Sequence, residues 1–305
     1  MKNYNCCNFS FTLTGRMKKY LSLIKFAHTI FALPFALLGL FLGFQFMQAN
    51  QMEPDKPYWQ SLLLVVLCMI FARSAAMAFN RYSDRDIDAM NDRTQTREIP
   101  AGIITPQNAL LFVVLNSIFF VITTWFINPL CFYLSPVALM VILGYSMTKR
   151  FTALCHLILG LGLALAPVGA FLAVTAQFQW EPIILGIAVL TWVSGFDIIY
   201  ALQDEEFDRQ NELNSIPAWL GKNKALLVST FLHFFCASMI ILFGIMTSAG
   251  WLFWVGALAF LFLLGYQHHL VKPNDLSKVD LAFFTTNGIA SVIFASFAIG
   301  ELLVR

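Results

Sequence analysis

Nine apolar stretches dominate this chain, at about 24–47, 60–79, 108–127, 129–147, 153–175, 182–203, 223–247, 250–270 and 281–303. Roughly 20 apolar residues at 1.5 Å rise cross the hydrocarbon core of a bilayer. In lipid, every backbone N–H and C=O must find its partner inside the segment, so such stretches form helices. They are apolar all round rather than along one stripe, as lipid-embedded helices are. Composition agrees: 59% of residues are hydrophobic and 12% charged, whereas a soluble domain carries about 25% charge. The expected fold class is all-α, a polytopic membrane protein with about nine transmembrane helices.

The cations set the orientation. They cluster before the first stretch (Lys2, Arg16, Lys18, Lys19, Lys25) and between the second and third (Arg73 to Arg97). Others lie between the fourth and fifth (Lys149, Arg150), the sixth and seventh (Arg209, Lys222, Lys224), and the eighth and ninth (Lys272, Lys278). Of the 19 Lys and Arg residues, only Lys56 and Arg305 fall on the other side. The positive-inside rule then puts the N-terminus and these loops in the cytoplasm and the C-terminus outside. A net charge of +2 points to no nucleic-acid partner. The six cysteines have no C-x-x-C spacing and suggest neither a disulfide framework nor a zinc site. Residues 1–16 read as a polar extension to a membrane domain at 17–305, and Met17-Lys-Lys-Tyr-Leu resembles a natural start.

Most of the 17 acids lie in two segments, 84–98 and 197–212, each covering a cytoplasmic helix end and the loop after it. In the first, Asn80, Asp84 and Asp88 are four residues apart and fall within about 80° on one helix face. Arg73 precedes them on the same stripe, while Asp86 points away. In the second, Asp197, Asp204 and Asp208 share a face, with Tyr200 beside them. Carboxylates aligned in this way repel one another unless a cation intervenes. Mg²⁺ takes oxygen ligands and bridges carboxylates to phosphate oxygens. Two such motifs facing each other would hold two Mg²⁺ ions and a diphosphate. The alternative is a pair of solvated helix ends, but intramembrane ionisable residues are functional candidates by default.

These residues carry a resemblance. The patterns Asn80-x-x-x-Asp84-x-x-x-Asp88 and Asp197-x-x-Tyr200-Ala201-x-x-Asp204-x-x-x-Asp208 resemble those of the UbiA superfamily of intramembrane prenyltransferases. Arg97-Glu-Ile-Pro-Ala-Gly, Tyr145-Ser-Met-Thr-Lys-Arg-Phe-Thr152 and His28-Thr-Ile-Phe-Ala-Leu-Pro-Phe extend it over nearly all the chain after Met17. Within the superfamily the motifs are similar to the 4-hydroxybenzoate polyprenyltransferase branch, which includes look-alikes acting on a naphthoate of menaquinone synthesis. One departure is Glu212, near a position where related sequences often have Gly.

The resemblance implies nine helices around a central cavity in the bacterial cytoplasmic membrane, with an apolar tunnel for the isoprenoid tail. It implies Mg²⁺-dependent transfer of a polyprenyl group from its diphosphate to an aromatic acid in quinone synthesis. Asn80, Asp84 and Asp88 are expected to hold one ion, and Asp204 and Asp208 another. Arg93, Arg97, Lys149 and Arg150 are candidates to clamp the diphosphate, with plain positive-inside anchoring as the alternative. Asp197 is the candidate base, because incomplete hydration at its depth suits proton uptake near neutral pH. Tyr200 is a candidate to steady the allylic cation, with packing as the alternative. For the acceptor carboxylate, Arg73 comes first and Lys25 and His28 second. Asn287 touches substrate or locks helix packing. His233 and Cys236 read as packing, and Gly160, Gly162, Pro167 and Gly169 as close contact and a kink. The rivals are another acceptor within the same fold, or a transporter; a transporter would place its charges near the bilayer midplane.

Overall fold

The computed structural model describes residues 19–24 and 32–304. The expected Met17 start, the 1–16 extension, Lys25 and His28 lie outside the described residues. Helices α1 (Leu33–Ala49), α2 (Tyr58–Ser83) and α3 (Arg85–Met90) are followed by α4 (Pro106–Ile127), α5 (Pro129–Thr148) and α6 (Cys155–Thr175). Then come α7 (Trp180–Ala201), α8 (Glu205–Gln210), α9 (Ile216–Leu220), α10 (Lys222–Met246), α11 (Trp251–Leu270) and α12 (Asn287–Val304). A π-helical turn, Leu281–Thr286, leads into α12. Among the described residues, eight spans are long and apolar enough to cross a membrane, and α1 is a shorter apolar helix.

Several helix starts are written in the sequence. Thr105 caps the Asn108 N–H of α4 and Asn128 caps the Cys131 N–H of α5, each followed by a proline in the first turn. Most long helices pack on their chain neighbours, and α12 returns to pack on α1. Helix α7 is the hub, buried far more than the others. Its Trp192, fully buried, stacks among Phe35, Phe196 and Phe260.

Glycines allow the closest approaches. A Cβ on Gly39 would lie 2.1 Å from the Pro167 carbonyl oxygen, and one on Gly160 would lie 2.4 Å from Leu190 O and from Ser194 Oγ. The reading of Gly160 as a close contact therefore holds. Gly162 and Gly169 differ: nothing approaches within 3.8 Å of the first or 4 Å of the second, because both line a cavity.

That cavity, about 360 Å³, lies between α2, α4, α5 and α6. Its wall is apolar (Met69, Val141 and Leu163 among others), and Arg73 and Tyr145 are polar side chains in it. Arg73 keeps a buried Nε with no hydrogen-bond partner.

Candidate functional site

Both acidic motifs bend the chain at the central aspartate. Asp84 (φ −92°, ψ 6°) terminates α2, and Asp204 (φ −101°, ψ 4°) ends a short 3₁₀ turn that follows α7 and precedes α8. Each is followed by a six-residue helix carrying the last aspartate, Asp88 in α3 and Asp208 in α8. The single helix face expected from the spacing is therefore a helix, a bend and a second short helix. Hydrogen bonds from Asp84 N–H to Asn80 O (2.9 Å) and from Asp88 N–H to Asp84 O (2.7 Å) carry the turn through the bend. Asn80 Nδ2 also donates to Asp84 Oδ2 at 3.0 Å.

All four basic candidates are bound to these carboxylates. Arg97 Nη1 meets Asp88 Oδ1 at 2.6 Å, and Lys149 Nζ meets Asp208 Oδ1 at 2.6 Å. Arg150 lies 3.5 Å from Asp84 Oδ1 and also donates to Ser83. Arg93, in the loop after the first motif, pairs through Nη2 with Asp204 of the second and donates through Nε to the same carboxylate at 3.1 Å. Its Nη1 donates to Tyr200 Oη at 3.0 Å. Asn91 Nδ2 adds a bond to Asp204 Oδ1 at 3.3 Å. The two motifs are thus joined side to side, with all four cations paired to their carboxylates.

The electrostatics follow from this crowding. Burial, and then the Asp88 charge, push the Asp84 carboxyl up to about 6 against the pull of Arg150, Lys149 and Arg97. Burial is the largest influence on the Lys149 ammonium and would lower it; the charge and contact of Asp208, together with the Asp204 charge, reverse that, and the ammonium lies above the ordinary lysine value. Arg93 is likewise held above its ordinary value, with burial overcome by Asp204.

The other candidates separate. Asp197 does not join Asp204 and Asp208 in a shared ion pair; its Oδ2 meets His156 Nδ1 at 2.7 Å. Tyr200 stacks on Phe283 at 4.1 Å with the Arg93 guanidinium over its ring, which favours packing over an open aromatic face. Asn287 is fully buried. Its Oδ1 accepts from Trp192 Nε1 and Gln267 Nε2, and its Nδ2 donates to Ala282 O and Phe283 O. That exhausts its hydrogen-bonding capacity, so of its two readings the structure gives helix packing and corrects the acceptor-binding one. His233 and Cys236 are buried in packing, as expected.

Sequence reasoning missed His156, Ser215 and Asn91. Ser215 Oγ caps α9 and donates to Asp208 Oδ2 at 2.8 Å. His156 had a usable signal, as a lone ionisable residue at the start of an apolar run. Ser215 and Asn91 had none, because each acts across a loop.

Among the described residues, no three His, Cys, Asp or Glu side chains are gathered as a preformed metal site. The donors nevertheless fit a hard divalent cation: they are carboxylate and amide oxygens, and the buried Asp88 Oδ2 has no hydrogen-bond partner.

The profile of the UbiA prenyltransferase family matches residues 32–289. The 4-hydroxybenzoate octaprenyltransferase of Nitrosospira multiformis is 30% identical over 249 residues, 82% of this chain and 85% of that protein. That of Saccharophagus degradans is 29% identical, covering 82% and 83%. Among solved structures, the apo UbiA homolog from Aeropyrum pernix K1 aligns with a TM-score of 0.76 at 27% identity, over 91% of this chain and 97% of that one. A UbiA homolog from Archaeoglobus fulgidus bound to DMAPP and Mg²⁺ shares the fold, with a TM-score of 0.72 at 21% identity over 94% and 100%.

Proposed function

The chain belongs to the UbiA prenyltransferase family and is a membrane prenyltransferase, and from that premise we propose that it transfers a polyprenyl group from its diphosphate to an aromatic acid, 4-hydroxybenzoate first among candidates. The observation that carries this reading is the junction between the motifs: Asp84, Asp88, Asp204 and Asp208 interleaved with Arg93, Arg97, Lys149 and Arg150. As charges, these groups cancel. The carboxylates would turn to a divalent cation and the guanidinium forks to the phosphate oxygens of a diphosphate, each exchanging its present partner.

Asn80, Asp84 and Asp88 would hold one Mg²⁺, and Asp204 and Asp208 a second; bound there, the metal supplies charge neutralisation to the diphosphate oxygens. The apolar cavity suits the isoprenoid tail and excludes water from the allylic cation left when diphosphate departs. Arg73, in the cavity wall with an unpartnered Nε, is the partner for the acceptor carboxylate. Asp197 takes the proton released from the ring. The site faces the cytoplasm of a bacterial inner membrane, following the positive-inside count.

The test is product formation in membranes given a radiolabelled polyprenyl diphosphate and either 4-hydroxybenzoate or a hydroxynaphthoate. Prenylated hydroxybenzoate is expected. Prenylation of the naphthoate alone would replace the acceptor and its quinone pathway, and product from neither would refute the reading.

A further inference from the structure

His156 is the second residue of α6, buried to 3% exposure, and it makes two contacts that the proposed chemistry leaves unused. Its Nδ1 lies 2.7 Å from Asp197 Oδ2. Its Nε2 lies 3.3 Å from the backbone N of Ile216, which donates to it. A backbone N–H can only donate, so Nε2 presents its lone pair and the ring proton sits on Nδ1, aimed at Asp197.

The backbone that carries the imidazole is held against α7. Ser194 Oγ donates to the His156 carbonyl at 3.1 Å. One turn on, Gly160 brings α6 against Leu190 and Ser194 of α7 more closely than any side chain would permit. Ile216 directly follows Ser215, whose hydroxyl donates to Asp208. Cys155 Sγ donates to Asn214 O at 3.5 Å, and Asn214 N–H donates to Lys149 O at 2.7 Å. A single loop, 214–216, therefore reads Asp208 through Ser215 and Asp197 through the His156 ring.

We propose that His156 is a positioning residue that fixes the Asp197 carboxylate, through an Nδ1–H bond to Oδ2, in register with the diphosphate end of the site. This rests on the prenyl-transfer reading above. In that reaction the allylic C–O bond breaks and diphosphate leaves with the electron pair. A ring π pair forms the C–C bond, the ring C–H pair restores aromaticity, and the proton goes to Asp197. His156 keeps its own proton throughout. The hydrogen bond engages Oδ2, and the proposal gives the proton to the other oxygen. Without the bond the carboxylate rotates, and proton removal slows while diphosphate binding is untouched.

The experiment uses the full chain in membranes, with a labelled allylic diphosphate and whichever aromatic acid the wild type prenylates. His156→Phe keeps a planar ring, slightly larger, and removes the donor; kcat should fall about 10- to 100-fold, with KM for the diphosphate within about twofold. His156→Asn places an amide N–H near the Nδ1 position and should retain kcat within about fivefold. A phenylalanine variant with wild-type kcat overturns the proposal. So does an asparagine variant that falls below one tenth of wild-type kcat at equal membrane content, a result that stands even where His156→Phe fails to accumulate. A rise in diphosphate KM with kcat unchanged overturns it too, leaving a purely structural link. A wild type that prenylates no aromatic acid sinks the functional reading itself, whatever the variants do.

Discussion

The two acidic motifs break their helices alike but are satisfied differently. Asp84 and Asp204 share the same bridge-region backbone, and both terminal aspartates are buried, Asp88 to 5% exposure and Asp208 to 0%. Beyond that the motifs diverge. Asp208 faces a partner on both sides: Ser215 donates to Oδ2, and the Lys149 ammonium is ion-paired to Oδ1, which accepts no hydrogen bond. Asp88 takes Arg97 on one oxygen and leaves Oδ2 without a hydrogen-bond partner. In the first motif one oxygen of the last carboxylate thus has no partner, whereas in the second both oxygens face a partner. The loops differ too. Gly102 supplies the left-handed residue after the first motif (φ 69°), while after the second that conformation falls on Glu212 (φ 56°).

The largest expected effect tests what the motifs share. Asp84→Ala and Asp204→Ala should each lower prenylation by at least about 100-fold at equal membrane content. A hundredfold loss in one and near wild-type turnover in the other would break the symmetry. Next, Asp88→Asn and Asp208→Asn should separate. The first should raise the Mg²⁺ concentration needed for half-maximal rate by about tenfold, since a neutral amide replaces a charged ligand. Each change deprives a cation of its buried partner, and the second should cost about 1 kcal/mol more of stability, because Ser215 also loses its charged acceptor. Thermal unfolding in detergent separates these outcomes.

Smaller again is the contrast between arginines. Arg93→Lys removes the fork that spans Asp204 and Tyr200, and should raise KM for the prenyl diphosphate about 3- to 10-fold. Arg97→Lys, which replaces one contact to Asp88, should change it less. Equal effects would mean that the cross-motif bond has no special role. The smallest is Glu212→Gly, which relieves a left-handed backbone and should stabilise by at most about 1 kcal/mol, because glycine also loosens the unfolded chain.

The helices were the legible part. Seven of the nine apolar runs match a helix within a few residues at both ends, because lipid leaves the backbone no other hydrogen-bonded form. The ninth begins as a π turn, and α1 is described only from Leu33. Spacing drew out Asn80, Asp84, Asp88, Asp204 and Asp208, and Asp197 with them, which the structure pairs with His156 instead. Their partners were not legible: Arg93 reaches Asp204 across more than 100 residues, and no local pattern encodes such a bond. A separation of 41 residues likewise hid the bond between His156 and Asp197. The Glu212 departure gained a physical meaning only from its φ. Asn287 stayed ambiguous because a buried amide looks the same in sequence whether it meets a ligand or a tryptophan.

The most direct measurement is diphosphate release from a polyprenyl diphosphate by the purified chain in lipid nanodiscs, titrated with Mg²⁺ in the presence of 4-hydroxybenzoate. The joined motifs predict no release in chelator, release that saturates with Mg²⁺, and loss of that response in both Asp84→Ala and Asp204→Ala. Release that is independent of Mg²⁺, or that survives either substitution, would contradict a single diphosphate site built by the two motifs together.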